Sequence, residues 1–235
     1  MKHVTHYIFK SLNFKSLNLK LFSFTALLLL SGCTKTKYEF HDNGKIKSET
    51  HYRFGKETGT TTYYHFWYPT KTMEVEMKRG KRHGQFITRY FDGNVEVMAT
   101  YKNDLKEGKE THYYKSGQRT MEVFYTHGLK NGPITTWYSN GVVRETGAFV
   151  NDLYDGEWEY YNDLGLIIGE GSFSKGTGKR TSYDRAGRLQ METNYVNNLK
   201  EGIETHYLPS GEVAKTYLFK ADRIIEINGV PVDSL

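Results

Sequence analysis

Residues 93–108 read GNVEVMATYKNDLKEG, and this segment decides the fold because close relatives of it recur along almost the whole chain. Within residues 95–101, positions expected to face a core alternate with positions expected to face solvent, and this period of two predicts a half-buried strand. The residues after it predict a turn, with counterparts at 150–156 and 196–202. A second strand follows each turn, so each unit is predicted to be a β-hairpin that continues into the next.

Two sets of glycines show that the unit repeats with a period of 24 residues. The first set comprises Gly59, Gly84, Gly108, Gly132, Gly156, Gly178 and Gly202. The second set comprises Gly44, Gly93, Gly117, Gly141, Gly165, Gly187 and Gly211, with Pro69 where another member is expected. Seven full units and a partial eighth fit between about residues 40 and 219. Such a period is typical of a solenoid, in which stacked units bury surface that one unit cannot bury alone.

Short turns at the second set of glycines, such as Asp92-Gly93 and Asn140-Gly141, are predicted to close the hairpins. Asn-Gly and Asp-Gly pairs favour type I′ turns, which need positive φ at both central residues. The sequence therefore predicts an all-β fold: a single-layer antiparallel β-meander solenoid of about seven to eight 24-residue hairpin repeats. Residues 66–69 and 175–178 interrupt the pattern, and we expect a bend or a specific contact at each.

Aromatic residues form two columns when the units are stacked. One column stands eight residues after the second-set glycines: Tyr52, Tyr101, Tyr125, Phe149, Phe173, Tyr195 and Phe219. The other stands five residues after the first-set glycines, with Arg89 interrupting it: Tyr64, Tyr113, Trp137, Tyr161, Tyr183 and Tyr207. All these rings could lie in a core, or some could form an exposed face for a partner. The candidate binding face comprises Tyr113, Trp137, Trp158, Tyr161 and Trp67.

The first 32 residues are predicted to be a lipoprotein signal peptide. They contain four lysines and no acid, and residues 21–30 form an apolar run shorter than the span of about 20 residues that a membrane helix needs. The run ends in Leu30-Ser31-Gly32-Cys33, which resembles the lipobox of bacterial lipoproteins, so Cys33 would carry the lipid. A plain signal peptide with a chance cysteine, or an uncleaved anchor, is the alternative. In such lipoproteins Thr34, rather than Asp, after the cysteine favours the outer membrane, and we expect the periplasmic side.

The rest of the chain divides into a lipid-anchored tether at 33–39, a repeat domain at 40–220 and capping strands at 221–235. Four of the 32 basic residues and none of the 27 acidic residues lie in the signal, which leaves 28 basic against 27 acidic residues. This balance gives no reason to expect a nucleic-acid partner. Cys33 is the only cysteine, so a disulfide within the chain and a cysteine-based zinc site are excluded.

The repeated pattern of Tyr-Tyr-x-x-Gly, Glu, Tyr and Asn-x-Leu-Lys-x-Gly resembles the MORN-repeat variant, named for membrane occupation and recognition nexus. Within that group it is most similar to the YwqK-type antitoxin family, whose members are often bacterial lipoproteins. The resemblance covers roughly residues 40–219. It implies a repeat scaffold with a protein- or lipid-contacting surface, and it suggests an antitoxin or immunity-type role.

The sequence contains no motif typical of nucleotide binding, serine hydrolysis or zinc proteolysis. Acids recur five places after the second-set glycines, and we interpret them as a solvated face paired with Lys or Arg: Glu49, Glu74, Glu122, Glu170 and Glu192. His112 and His206 are interpreted as solvated or edge residues. We therefore predict a non-catalytic, membrane-tethered envelope scaffold that binds a protein such as a toxin, without metal or cofactor. Binding of an envelope glycan or a lipid headgroup is the alternative function.

Overall fold

The computed structural model describes residues 34–232, which form one open antiparallel sheet of 21 strands. Within that range no helix has the length and apolar character that a membrane crossing would need. The predicted signal peptide at 1–32, Cys33, and residues 233–235 of the predicted cap lie outside the described residues. The strands are β1 (Lys35–Phe40), β2 (Ile46–Arg53), β3 (Lys56–Glu57), β4 (Gly59–Tyr64), β5 (Lys71–Lys78), β6 (Lys81–Arg89), β7 (Val95–Lys102), β8 (Leu105–Lys106), β9 (Gly108–Tyr113), β10 (Arg119–Thr126), β11 (Leu129–Trp137), β12 (Val143–Val150), β13 (Leu153–Tyr161), β14 (Ile167–Ser174), β15 (Thr177–Tyr183), β16 (Leu189–Val196), β17 (Leu199–Lys200), β18 (Gly202–Tyr207), β19 (Val213–Lys220), β20 (Arg223–Ile227) and β21 (Val230–Pro231).

Neighbouring strands in the chain pair with each other, which confirms the predicted meander of hairpin repeats. Where a strand is interrupted, both halves pair with the same preceding strand. For example, β8 and β9 both pair with β7, and β17 and β18 both pair with β16. Each 24-residue unit therefore contributes two strands to the sheet.

The first-set glycines mark β-bulges rather than turns. Gly84 and Gly132 have φ values of 117° and 120°, and the register shifts beside them in pairs such as β10 with β11. The unit that contains Gly178 is two residues shorter, and β14 pairs with β15 without a register shift. Glycine is still required there, because a Cβ on Gly178 would lie 2.0 Å from the Ser172 carbonyl oxygen.

The type I′ turns lie at the opposite ends of the strands from those predicted. Asn103-Asp104 and Asn151-Asp152 have positive φ at both central residues, as this turn type requires. In Asp92-Gly93 only the glycine has positive φ, and its N–H donates to the Tyr90 carbonyl at 2.9 Å. This geometry is a type I turn followed by a left-handed glycine, so the predicted type I′ assignment is wrong. The Asp92 carboxylate accepts the Asn94 N–H at 3.1 Å, which stabilises the observed turn.

These turns define two edges of the sheet. Edge 1 carries the turns at 54–55, 79–80, 103–104, 127–128, 151–152, 175–176, 197–198 and 221–222. Edge 2 carries the second-set glycines and residues 66–69. On edge 1, backbone N–H groups donate to carbonyls 22 residues earlier at 2.9 Å: Asp104 to Arg82, Gly128 to Lys106 and Asp152 to Lys130. On edge 2, tyrosine hydroxyls donate to carbonyls 23 residues later: Tyr90 to Tyr113, Tyr114 to Trp137 and Tyr138 to Tyr161.

The core lies on one face of the sheet, where large side chains stand opposite the first-set glycines. We call this face A, and the opposite face B. The paired residues are Gly84 with Tyr101, Gly108 with Tyr125, Gly132 with Phe149, Gly156 with Phe173, Gly178 with Tyr195 and Gly202 with Phe219. The rings of Phe149, Phe173 and Phe219 are only 6–8% exposed. In the first predicted aromatic column, Tyr101 and the three phenylalanines are therefore buried, whereas Tyr52, Tyr125 and Tyr195 are partly exposed.

Side chains two positions before the glycines cover these rings from the solvent side. Four of them are cations, and each places its charge over the ring: Arg82 over Tyr101 at 4.3 Å, Lys106 over Tyr125 at 4.7 Å, Lys130 over Phe149 at 4.9 Å and Lys200 over Phe219 at 4.6 Å. Their methylene stems add apolar surface to a sheet that has no second layer. This cover explains how a single sheet buries rings so deeply.

The predicted tether at 33–39 is wrong for residues 35–39, because Lys35–Phe40 forms β1. Lys35 pairs with Tyr52 and Glu39 pairs with Ser48, so this segment is the first strand of the repeat array. At the other end, β20 pairs with β19 and β21 pairs with β20, within the segment predicted to cap the sheet.

Trp158 occupies the centre of the core, where its indole lies over Gly147. It is 3% exposed and packs with Phe149 and Phe173 at ring-centroid distances of 5.3 and 6.4 Å. A Cβ on Gly147 would lie 2.1 Å from the indole ring. The indole therefore fills the space that a side chain at position 147 would need.

We expect Gly147→Ala to lower the free energy of unfolding by about 1–3 kcal/mol, because the added methyl displaces the indole from a filled core. Urea unfolding followed by circular dichroism measures the change. Ser174→Thr, which adds one methyl at an exposed strand position, is the control and should change stability little. Equal stability of the Gly147→Ala variant and the unmodified chain would contradict this account of the core.

Candidate functional site

The second predicted aromatic column lies on face B, near edge 2. Tyr113, Trp137 and Tyr161 are half-buried, and successive members are two strands apart, or about 9.6 Å. Their neighbours on face B hold them in place. The Tyr161 hydroxyl donates to Glu159 Oε2 at 2.6 Å, and the Tyr113 hydroxyl lies 3.8 Å from Met98 Sδ. The hydrogen bond to Glu159 also raises the pKa of Tyr161.

Arg119 is the register partner of Tyr113 across β9 and β10, and its side chain packs on Trp137. Its guanidinium lies 4.6 Å from the centre of the Trp137 ring and donates to Glu122 Oε2 at 3.4 Å. A shallow depression of about 350 Å³ on one side of Arg119 is lined by residues that include Met98, Tyr113 and Glu122. A second depression of about 320 Å³ on the other side is lined by residues that include Trp137. The site is thus an open ledge of rings and other apolar side chains, with two cations, Arg119 and Lys109, paired with the Glu122 carboxylate beside it.

Carboxylates run along face B beside the rings, and the predicted pairing with Lys or Arg is confirmed at three of them. Glu74 accepts from Lys71 at 2.6 Å and Arg89 at 2.9 Å, Glu122 accepts from Lys109 at 3.1 Å, and Glu192 contacts Lys179. Tyrosine hydroxyls bind other members: Tyr64 to Glu49, Tyr183 to Glu170 and Tyr207 to Glu192. The hydrogen bond from Lys71 is the main reason that the pKa of Glu74 is lowered.

The prediction that Trp158 belongs to the binding face is wrong. Trp158 lies on face A in the core, whereas Trp137 and Tyr161 lie on face B. The indole Nε1 of Trp158 is buried and has no hydrogen-bond partner in the described chain. Trp158 and Tyr161 are three positions apart in β13, and this odd spacing in a strand of period two places them on opposite faces.

Trp67 lies apart from the column, in the irregular loop at edge 2, and is 62% exposed. Its ring packs against Phe66 at 4.7 Å, and the Asn43 amide donates to the Phe66 carbonyl at 2.6 Å. Tyr68 and Phe91, which are also exposed, pack together nearby at 5.1 Å. The structure therefore divides the five candidates among the face B column, the core and an exposed aromatic group at edge 2.

Two buried glutamates on face A form matching polar clusters that the sequence analysis missed. Glu204 is 5% exposed; it lies 2.6 Å from Lys200 Nζ and 2.9 Å from His206 Nε2, and it accepts the Thr193 hydroxyl at 2.9 Å. Glu110 is 4% exposed and contacts Lys106 and His112 in the same way. The near-identical strings LKEGKETHY at 105–113 and LKEGIETHY at 199–207 could have indicated from sequence that the two clusters match.

His112 and His206, interpreted as solvated or edge residues, are 33% and 37% exposed, and the Nε2 of each also lies 2.9 Å from a buried carboxylate, a contact that the interpretation did not include. Burial by itself raises the pKa of Glu204, but hydrogen bonds from Lys200, His206 and Thr193 outweigh it and hold the pKa below the ordinary value of 4.5. The same balance lowers the pKa of Glu110. Both clusters bind their charges internally, so they stabilise the sheet rather than offer a reactive group.

Because the folded pKa of Glu204 is lowered, its stabilising contribution is present above pH 4.5 and is lost as the pH falls through the folded value. We expect Glu204→Gln to reduce the free energy of unfolding by about 1.5–3 kcal/mol at pH 7. The difference from the unmodified chain should shrink between pH 4.5 and 3. Urea unfolding at several pH values measures it, with exposed Glu157→Gln as the control. A difference that stays constant down to pH 3 would contradict the assignment.

No group of three or more His, Cys, Asp or Glu side chains within residues 34–232 is arranged to hold a metal ion. What these residues do form is a regular surface of rings, cations and carboxylates on a rigid sheet. Such an arrangement can bind a partner by burying rings and pairing charges. Fold and site together define an all-β repeat scaffold.

Comparison with known proteins finds a repeat family that is similar to four segments of the chain. The family model described as MORN repeat variant matches residues 35–53, 82–103, 106–127 and 177–197. The first match begins at β1, in agreement with the corrected start of the array. No curated protein matches the chain.

Among solved structures, the Photorhabdus luminescens Tc holotoxin pore is similar at 11% sequence identity and a TM-score of 0.20. The match covers 80% of this chain and 13% of that chain. A likeness at this level carries no information on function.

Proposed function

We propose that the protein is a non-catalytic repeat scaffold that binds a protein partner through the face B column. The observation that supports this most is the position of Tyr113, Trp137 and Tyr161, half-exposed on a face whose reverse side forms the core. Tyr, Trp and Arg are the residues that most often dominate protein interfaces, and Arg119 stands among these rings. The matched MORN-type repeats are in keeping with a scaffold role.

The proposal includes attachment to the bacterial envelope through a lipid on Cys33, with the sheet in the periplasm at the outer membrane. The lipobox-like residues 30–33 support it, together with the basic and apolar residues before them. An antitoxin or immunity-type role would be one form of the same function, with a toxin as the partner. Its specific test is whether a neighbouring toxin gene becomes lethal when this protein is absent.

The proposed partner should be lost when the column is truncated. Loss of interface hot spots costs about 2 kcal/mol or more each, so we expect Trp137→Ala with Tyr161→Ala to weaken binding at least tenfold. The chain from Thr34 onward serves as bait for detergent-solubilised envelope, and an enriched protein is purified and titrated against both forms. Circular dichroism confirms that the double variant is folded.

Trp67→Ala is the matched control, because it removes an exposed tryptophan outside the column. Equal loss of the partner in this control would contradict the assignment to face B. Retention on purified peptidoglycan that the double variant abolishes would instead favour the glycan alternative and contradict a protein partner.

A further inference from the structure

A basic depression lies on edge 1 at the first two repeats. It is lined by Arg53, Phe54, Lys56, Thr58, Lys78 and Arg79 and has a volume of about 430 Å³. The turns at 54–55 and 79–80 both have positive φ at two successive residues, so they project in the same manner. The Gly80 N–H donates to the Glu57 carbonyl at 2.8 Å and joins one turn to the next. We call these six residues the basic edge.

The charges of the basic edge are not neutralised by the protein. Arg53, Lys56, Lys78 and Arg79 are exposed, and none of them forms an ion pair within residues 34–232. The nearby acids have other partners. Glu57 accepts the Tyr52 hydroxyl at 3.3 Å, and Asp104 pairs with Arg82 at 3.4 Å. The surface therefore keeps a net positive charge.

Exposed cations are most concentrated at this end of edge 1, although Lys175, Lys220 and Arg223 also stand at later turns. From the third repeat onward, most turns on this edge carry acidic or amide side chains, as at 103–104, 151–152, 197–198 and 221–222. Several of those carboxylates accept hydrogen bonds from backbone N–H groups next to the preceding turn. For example, the Lys130 N–H donates to Asp152 Oδ1 at 2.7 Å. The basic edge is thus a local feature of this chain rather than a property of the repeat.

An exposed ring stands among these cations. Phe54 is 74% exposed, and the Arg53 guanidinium lies 5.5 Å from its ring centre. Cations around an exposed aromatic ring suit the surface of an anionic bilayer, where the charges meet phosphates and the ring enters the boundary between headgroups and acyl chains. An acidic protein would match the charge but offers no continuous apolar layer for the ring.

The chain enters the sheet at this same edge. Lys35, the first residue of β1, pairs with Tyr52, which directly precedes Arg53. We infer that the basic edge docks on an anionic phospholipid surface and sets the orientation of the sheet on the membrane. The orientation rests on the proposed lipid attachment at Cys33, two residues before β1. The binding itself does not.

Co-sedimentation with vesicles tests the inference without the lipid anchor. The described residues 34–232 belong to one compact unit, so the chain from Thr34 onward keeps the whole sheet. We expect it to bind vesicles of phosphatidylcholine with phosphatidylglycerol and not vesicles of phosphatidylcholine alone. The bound fraction should fall as salt is raised from 0.05 to 0.5 M, because the screening length falls to a few ångströms.

Variants locate the surface. Lys56→Gln with Arg79→Gln should weaken vesicle binding by about fivefold for each charge removed. Phe54→Asn should also weaken it, and asparagine tolerates the positive φ of 51° at this position. The control is Lys175→Gln with Lys220→Gln, which removes two exposed charges from edge 1 at later repeats.

Unchanged binding by the basic-edge variants, or an equal loss in the control, would overturn the inference. The Trp137→Ala, Tyr161→Ala variant should bind vesicles normally, so failure of the partner experiment and failure of this one are distinguishable.

Discussion

A large side chain packed opposite a glycine is the interaction on which the rest of this structure depends. A single sheet has no second layer, so a ring can be buried only by lying over a neighbouring strand and under a side chain from the next turn. Gly132 leaves room opposite Phe149, and Lys130 covers the ring from outside. The same triplet of cover, glycine and ring recurs along face A, so the 24-residue period is the spacing of one complete packing unit.

This constraint leaves face B available for other uses. Since the core takes the rings on face A, Trp137 and its neighbours are not needed to exclude water from the interior. Their tyrosine hydroxyls bind face B carboxylates, which holds the rings in fixed positions on the sheet. A surface of this kind loses little side-chain freedom when a partner binds, because its rotamers are already restricted. Face A therefore provides the stability of the sheet, and face B is the surface proposed to bind a partner.

Much of this architecture could be predicted from sequence, because glycine spacing and strand alternation are local signals. The period, the hairpins and the meander follow from them. The odd spacing of Trp158 and Tyr161 within one strand was enough to place them on opposite faces. Relating the faces of successive strands required counting through bulges such as the one at Gly132. Turn type was misassigned because Asp92 binds the Asn94 N–H rather than adopting positive φ. Burial of Glu110 and Glu204 depends on side chains from other positions, and the start of the array at Lys35 depends on cross-strand pairing, with no member of either glycine set before it.

The shorter unit at Gly178 also bears on how such chains change over generations. The strings at 105–113 and 199–207 differ only at Lys109 and Ile203, a likeness expected if one unit of the array was copied from another. Each unit contacts mainly its neighbours, so a copied or lost block leaves two compatible surfaces to rejoin. The unit that is two residues shorter pairs without a bulge, and Asn198 in the next turn bonds across it to Asp152 and Tyr154, so the sheet accommodates a unit of different length. The number of repeats can therefore change between generations. A change in that number alters the length of the sheet, while the packing within each repeat stays the same.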